Sequence, residues 1–132
     1  MAVAWLESRA LREIEYNGTD PSNLEVILVI GVNAVDYSGY PDCRPKFYDA
    51  ISESFRLGSK IGIRYGLTFS IKTPLMAMTK AKIISTAMEL NAPLYVTWSC
   101  YNGEERPCGI CDACVLLAKG FKQAGVSDPT IY

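Results

Sequence analysis

Three cysteines within seven residues, Cys108, Cys111 and Cys114, follow a fourth at Cys100 in the pattern Cys-x7-Cys-x2-Cys-x2-Cys. No other stretch restricts the fold so tightly, because thiols this close in sequence must share a metal, pair, or be buried side by side. Two-residue gaps let neighbouring sulfurs turn toward one centre, and four soft thiolates around a divalent ion favour zinc in a tetrahedron. With every position closed by protein sulfur, none remains for water, so such an ion would hold the fold together and take no direct part in chemistry. An iron–sulfur cluster also uses Cys-x2-Cys-x2-Cys, and plain or disulfide-bonded cysteines complete the alternatives. Cys43 stands apart and reads as a small buried hydrophobe.

A chain of 132 residues with 49% hydrophobic content is sized for one domain with a real core. Its net charge of −1, with basic residues scattered along the chain, leaves no electrostatic footprint for a nucleic-acid backbone. No apolar run approaches the roughly 20 residues needed to cross a bilayer, and the charged start MAVAWLESRALRE lacks the core of a signal peptide. The expected location is the cytoplasm, where thiols stay reduced, with no membrane and no nucleic-acid partner. The absence of histidine excludes imidazole-dependent triads, His-ligated catalytic zinc and histidine pH switches. Remaining chemistry favours reactions in which a nucleotide supplies the activation, since those depend on positioning and electrostatics.

Along the chain, helix and strand patterns alternate. Ala2 to Ile14 has good helix propensity and meets a breaker cluster from Asn17 to Pro21. Leu24 to Val32 is β-branched and continuously apolar after Glu25, as expected of a central strand covered on both faces in a parallel sheet. Pro45 suits a helix start, and Phe47, Ala50, Ile51, Ser54 and Phe55 fall on one side of a helix ending near Gly58. Leu67 to Lys72 alternates as a second strand, stopped by Thr73-Pro74. Thr79 can cap a helix through Leu90, with Ile83, Ile84, Ala87 and Met88 as its buried stripe and Lys80, Lys82 and Glu89 on its polar face. Leu94 to Trp98 reads as a short strand, and Asp112 to Ala124 as a closing helix stopped at Gly125. The order βαβαβ with a metal-stapled end implies an α/β domain.

Ligands of open parallel sheets bind beyond the carboxyl ends of the strands, which directs attention to the loop GVNAVDYSGYPDCRP after the first strand. Asn33 offers a donor and an acceptor, Asp36 and Asp42 accept from N–H groups, and Arg44 can grip a carboxylate or phosphate with two parallel bonds. Tyr37 and Tyr40 offer flat rings for stacking. A long surface turn built from Gly, Pro, Asn and Asp is the plainer alternative.

That loop, a Thr-Pro-Leu after the second strand, a Thr-Lys-Ala helix start, and Thr-Trp-Ser-Cys leading to Cys-Gly-x-Cys-Asp-x-Cys together resemble the 7-cyano-7-deazaguanine synthases. The resemblance runs from about Val26 to the C-terminus. It implies a Rossmann-like parallel sheet of the adenine nucleotide alpha hydrolase type, incomplete at the N-terminus, with a C-terminal four-Cys zinc site. Within a single α/β domain over 1–132, residues 1–22 match the family poorly, 24–98 carry sheet and helices, and 99–132 bind zinc. The implied reaction converts 7-carboxy-7-deazaguanine and ammonia to the nitrile at the expense of ATP with Mg2+, in queuosine biosynthesis. On that likeness Cys100, Cys108, Cys111 and Cys114 are the zinc ligands, Asn33, Asp36, Tyr37, Asp42 and Arg44 hold the deazaguanine or orient its carboxylate, and Lys80 contacts a phosphate.

The family's Ser-Gly-Gly-x-Asp-Ser loop, which cradles the pyrophosphate of ATP, has no counterpart in these residues. The chain alone is therefore expected not to turn over ATP, and a homodimer or a complementing N-terminal segment is the expected partner. A non-catalytic zinc protein that binds a deazapurine or a partner subunit is the alternative, and a purely structural zinc module the third reading.

Overall fold

A parallel β–α–β connection organises the first part of the chain. The computed structural model describes residues 1–33, 40–103 and 105–130. These form two compact units, one from the described residues of Met1–Val32 and Gly39–Met76, the other from those of Asn33–Ser38 and Ala77–Tyr132.

In the first unit, helix α1 (Ala2–Leu11) runs into a wider π turn at Arg12–Tyr16 and stops at Gly18, whose φ of +71° suits glycine. Val3, Leu6, Ala10, Leu11 and Ile14 recur at three- and four-residue steps and pack into the core. Strand β1 (Val26–Val29) pairs in parallel with β2 (Phe69–Lys72), Val26 opposite Phe69 and Val29 opposite Lys72. Between them lie α2 (Pro45–Gly58) and α3 (Lys60–Tyr65). Ala10, Val26, Ile61, Leu67 and Phe69 make the buried centre, with Ile61 completely enclosed. Long-range polar contacts tie α1 and the π turn to α3: Glu7 accepts from the Lys60 backbone N–H at 2.6 Å, while Glu15 in the turn accepts from Tyr65 Oη at 2.6 Å and pairs with Lys60 Nζ at 2.7 Å.

Two expectations for this unit are corrected, and one helix is added. The run Leu24–Val32 yields only four strand residues and is covered on one face: Val26 is buried, but Ile27 and Val29 are 38% and 64% exposed. Its cover comes from helices on the Val26–Phe69 side alone, and no third strand exists among the described residues. Helix α2 keeps its expected ends, but Phe47, Ala50 and Ser54 face outward while Tyr48, Ile51, Ser52 and Phe55 turn inward. The register follows from two contacts with β2: Ser52 Oγ donates to the Phe69 carbonyl at 2.9 Å, and the Phe55 and Phe69 rings meet edge to face with centroids 5.7 Å apart. Helix α3 was not anticipated, being only six residues long. Ser59 caps it by accepting from Gly62 N–H at 3.0 Å, and a Cβ on Gly62 would overlap the Arg56 carbonyl, so the α2–α3 corner needs glycine.

The second unit is built on α4 (Lys80–Glu89) and α5 (Asp112–Ala124) packed against each other. Thr79 caps α4 by accepting from Lys82 N–H at 3.2 Å. Of its expected buried stripe, Ile84 is buried, Ile83 and Ala87 are half-buried and Met88 is exposed. Gly120 lets the helices touch, for a Cβ there would come within 2.8 Å of Lys80 Cβ and 3.1 Å of Ile84 Cδ1. Lys80 is thus half-buried at the helix crossing, where the polar face had been expected. Helix α5 has the expected ends, closed by Gly125 in the left-handed conformation at φ +71°. The expected strand Leu94–Trp98 is instead a 3-10 turn at Leu94–Val96 followed by extended chain. Its amides are spent locally, Val96 N–H donating to the Pro93 carbonyl and Thr97 N–H to that of Leu94, with no strand paired to them among the described residues.

Two measurements test this packing. Ile61→Ala should cost about 2–5 kcal/mol in denaturant unfolding, as for other enclosed aliphatic truncations. Hydrogen bonds from Lys60 first, then Tyr65, hold the Glu15 carboxyl below its usual range. That stabilisation is present above the unfolded carboxyl pKa and is lost as pH falls through the folded one. Glu15→Gln should therefore lower the melting temperature slightly at pH 7 and leave it unchanged in acid below the folded pKa.

Candidate metal centre

The four sulfurs arrive from one extended segment, one tight turn and one helix start. Trp98 Nε1 donates to the Cys100 carbonyl at 2.7 Å and fixes the approach to Cys100. Cys108 and Cys111 bracket a turn in which Gly109 takes φ +72°. Cys111 is the N-cap of α5, and Cys114 lies in its first turn. All four Sγ atoms lie within 4.8 Å of one another, forming the only such group of potential metal ligands among the described residues. Cys100 and Cys114 are buried, Cys108 and Cys111 half-buried, and none is in a disulfide.

The residues fit a single tetrahedral ion. Bonds of about 2.3 Å in a regular tetrahedron place sulfurs about 3.8 Å apart, within the observed spread. A multi-iron cluster would need its ligand sulfurs spaced around a larger inorganic core. Backbone amides already point at the thiols, Cys108 N–H at Cys100 Sγ and Cys111 N–H at Cys108 Sγ, each at 3.4 Å, as suits thiolates. The group can hold a metal ion such as zinc.

Electrostatics within the cluster are uneven. The Tyr101 backbone amide, followed by that of Cys114, brings Cys111 down to about 6. Cys100 is also lowered, chiefly by the Cys108 backbone amide. Desolvation drives Cys114 up to about 12, with the neighbouring sulfurs adding to the rise. Without a cation, Cys114 therefore holds its proton more tightly than Cys111. The α5 N-terminus aids ionisation at the sulfurs beside it.

Other sequence-predicted residues distribute as follows. Asn33 Nδ2 donates to the Met78 carbonyl just before α4. Asp42 lies in a 3-10 turn (Pro41–Cys43) and Arg44 is the extended residue between that turn and α2, both exposed. Cys43 is half-buried, and desolvation raises its thiol pKa, as a small apolar filler would behave. Lys80 sits in the first turn of α4. Asp36 and Tyr37 lie outside the described residues. Sequence reading missed the amide donors of Tyr101, Cys108 and Cys111, which no side-chain identity announces. Gly109 inside Cys-Gly-x-Cys was the one available signal for the turn that aims them.

The family model described as Queuosine biosynthesis protein QueC matches residues 21–125, a span holding both strands, α2 to α5 and all four clustered cysteines. The chain belongs to the QueC family. Its relatives include proteins named 7-cyano-7-deazaguanine synthase from Acetivibrio thermocellus, 54% identical over 105 residues, from Thermoplasma volcanium, 50% over 103, and from Nostoc punctiforme, 50% over 103. These alignments cover 80%, 78% and 78% of this chain and 47%, 42% and 46% of the relatives. The chain thus spans about half the length of the curated relatives it matches. Helix α1 lies outside the QueC match although Ala10 is part of the buried core. No helix among the described residues is long and apolar enough to cross a membrane.

Metal binding must displace thiol protons, that of Cys114 held most tightly by desolvation, so affinity should fall as pH is lowered. Adding zinc to the metal-free chain in weak buffer at pH 7 should acidify the solution. Elemental analysis should find one zinc per chain; a metal-free purified protein of unchanged stability would refute the centre.

Proposed function

We propose that this chain is the substrate-loop and zinc portion of a 7-cyano-7-deazaguanine synthase, acting in the cytoplasm in queuosine biosynthesis. The observation that carries the reading is the convergence of four cysteines inside the segment that is about half identical to proteins of that name. The overall reaction is ATP-dependent conversion of 7-carboxy-7-deazaguanine and ammonia to the nitrile. ATP activates the carboxylate, ammonia displaces AMP to give the amide, and a second activation removes the amide oxygen.

In this scheme zinc supplies cross-linking and no catalysis, since four thiolates close its coordination. Cys100, Cys108, Cys111 and Cys114 tie α5 to the segment after Trp98. Asn33, Asp36, Tyr37, Asp42 and Arg44 are proposed to hold the heterocycle or orient its carboxylate, with the Arg44 guanidinium suited to bidentate contact. Lys80 is proposed to meet a phosphate of ATP, whose charge Mg2+ also offsets. The parallel pair β1–β2 is read as part of a larger Rossmann-like sheet. Exposed Ile27 and Val29 support that reading, because near-continuous apolar runs are characteristic of parallel strands covered on both faces. A complementing segment bearing Ser-Gly-Gly-x-Asp-Ser, or a second copy, is the proposed cover.

The test is AMP release and nitrile formation by the purified chain, alone and co-expressed with a segment bearing the phosphate loop. The expectation is no turnover alone and turnover in the complex, reduced at least tenfold by Asp36→Ala or Arg44→Ala. Turnover by the 132-residue chain alone would refute the need for a complement. Tight deazapurine binding without turnover in any complex would favour the non-catalytic zinc protein instead.

A further inference from the structure

Asparagine is a chemically labile residue, most of all before glycine, and the chain holds two such pairs, Asn17-Gly18 and Asn102-Gly103. Glycine carries no Cβ, so its backbone nitrogen can reach a side-chain carbonyl that a larger residue would screen. Whether it does so depends on how firmly the pair is held. Asn17 is clamped: its backbone N–H donates to the Arg12 carbonyl at 3.1 Å and its Nδ2 to Glu13 Oε2 at 2.8 Å. Thr19 N–H then closes over Gly18 onto the Glu13 carbonyl at 2.9 Å. Turning the Asn17 amide onto the Gly18 nitrogen breaks its bond to Glu13.

Asn102-Gly103 is held on one side only. The backbone amides of Tyr101 and Asn102 donate to the sulfurs of Cys111 and Cys100 respectively. Beyond them, the Asn102 side chain and the Gly103 N–H make no hydrogen bond among the described residues, and both residues are exposed. Gly103 sits at φ +65° with nothing within 4 Å of where a Cβ would stand. Bringing its nitrogen to Asn102 Cγ needs rotation only about the Asn102 Cα–C and Cα–Cβ bonds, which leaves the two sulfur-bound amides in place. The ring can therefore close while the thiol cluster stays assembled.

We propose that Asn102 is a site of non-enzymatic modification, losing its amide nitrogen as ammonia and placing a new carboxylate in the loop between Cys100 and Cys108. The Gly103 nitrogen attacks Asn102 Cγ; the N–Cγ bond forms, the Gly103 N–H proton passes to water, and the Cγ–Nδ2 bond breaks as ammonia leaves. Water then opens the cyclic succinimide at either carbonyl, giving aspartate, or isoaspartate in which the main chain runs through Cβ and Cγ. The net change is amide plus water to acid plus ammonia, with no oxidation or reduction. Isoaspartate lengthens the main chain between Cys100 and Cys108 by a carbon atom and so alters the spacing that aims those sulfurs at one centre. A chain altered in this way releases its metal sooner. The inference is independent of the reaction proposed above.

The full chain purified with its metal would be aged at mildly alkaline pH. Isoaspartate would be counted by methyl transfer from S-adenosylmethionine with an L-isoaspartyl methyltransferase, and located by peptide mass mapping. It should accumulate at Asn102 several-fold faster than at Asn17, a comparison that needs no variant. Asn102→Gln keeps the amide but would have to close a larger ring, so it should remove most of the signal, while Asn17→Gln leaves the signal nearly unchanged. Asn102 is exposed, so its substitution should leave circular dichroism intact. Aged unsubstituted chain should pass zinc to a chelator several-fold faster than aged Asn102→Gln, with the fresh proteins equal. The proposal is overturned if no isoaspartate forms at Asn102, if it forms at Asn17 as fast, or if the two aged proteins retain their metal equally.

Discussion

Four sulfurs within 4.8 Å of one another cannot all ionise unless a cation lies among them, and the second unit is arranged around that constraint. Amides from Tyr101 and the Cys108–Cys111 turn favour charge on some sulfurs, while desolvation holds the proton on Cys114. A tetrahedral ion would relieve the conflict and tie the start of α5 to the chain after Trp98. Helix α5 in turn meets α4 at Gly120, so the geometry of the sulfurs is continuous with the packing of both helices.

The first unit poses a different problem. A strand as apolar as Val26–Val29 is suited to burial on both faces, yet helices cover only the face of Val26 and Phe69. Exposed Ile27 and Val29 lie on the opposite face, which no helix covers among the described residues, and do not make the strand assignment wrong. Helix α1, outside the family match, nonetheless supplies Val3, Leu6 and Ala10 to the core and the Glu7 carboxylate to α3, and the π turn after it adds Glu15. Its role is structural closure of this unit.

Helices with strong end signals were legible. Thr79 before α4 and Gly125 after α5 locate those ends, because caps satisfy orphan backbone groups through local chemistry. Helix α3 was overlooked although Ser59 and Gly66 mark its ends, since six residues give too few turns for a periodic signal. The inward face of α2 was displaced because Phe47 and Ala50 fit the same periodicity as Tyr48 and Ile51; the contacts of Ser52 and Phe55 with β2 decide between them. Leu94–Trp98 has strand-like residues but no strand paired with it among the described residues, and its amides bond locally.

Cysteine spacing by itself determined where a metal could sit, because two-residue gaps limit how far neighbouring sulfurs can separate whatever the surrounding fold. Capping residues likewise determined the ends of α4 and α5, through hydrogen bonds that span only a few residues. Tertiary structure alone decided which face of α2 is buried and how much of β1 is covered. Those outcomes depend on contacts between distant segments, whose geometry is set by packing and leaves no local periodic trace.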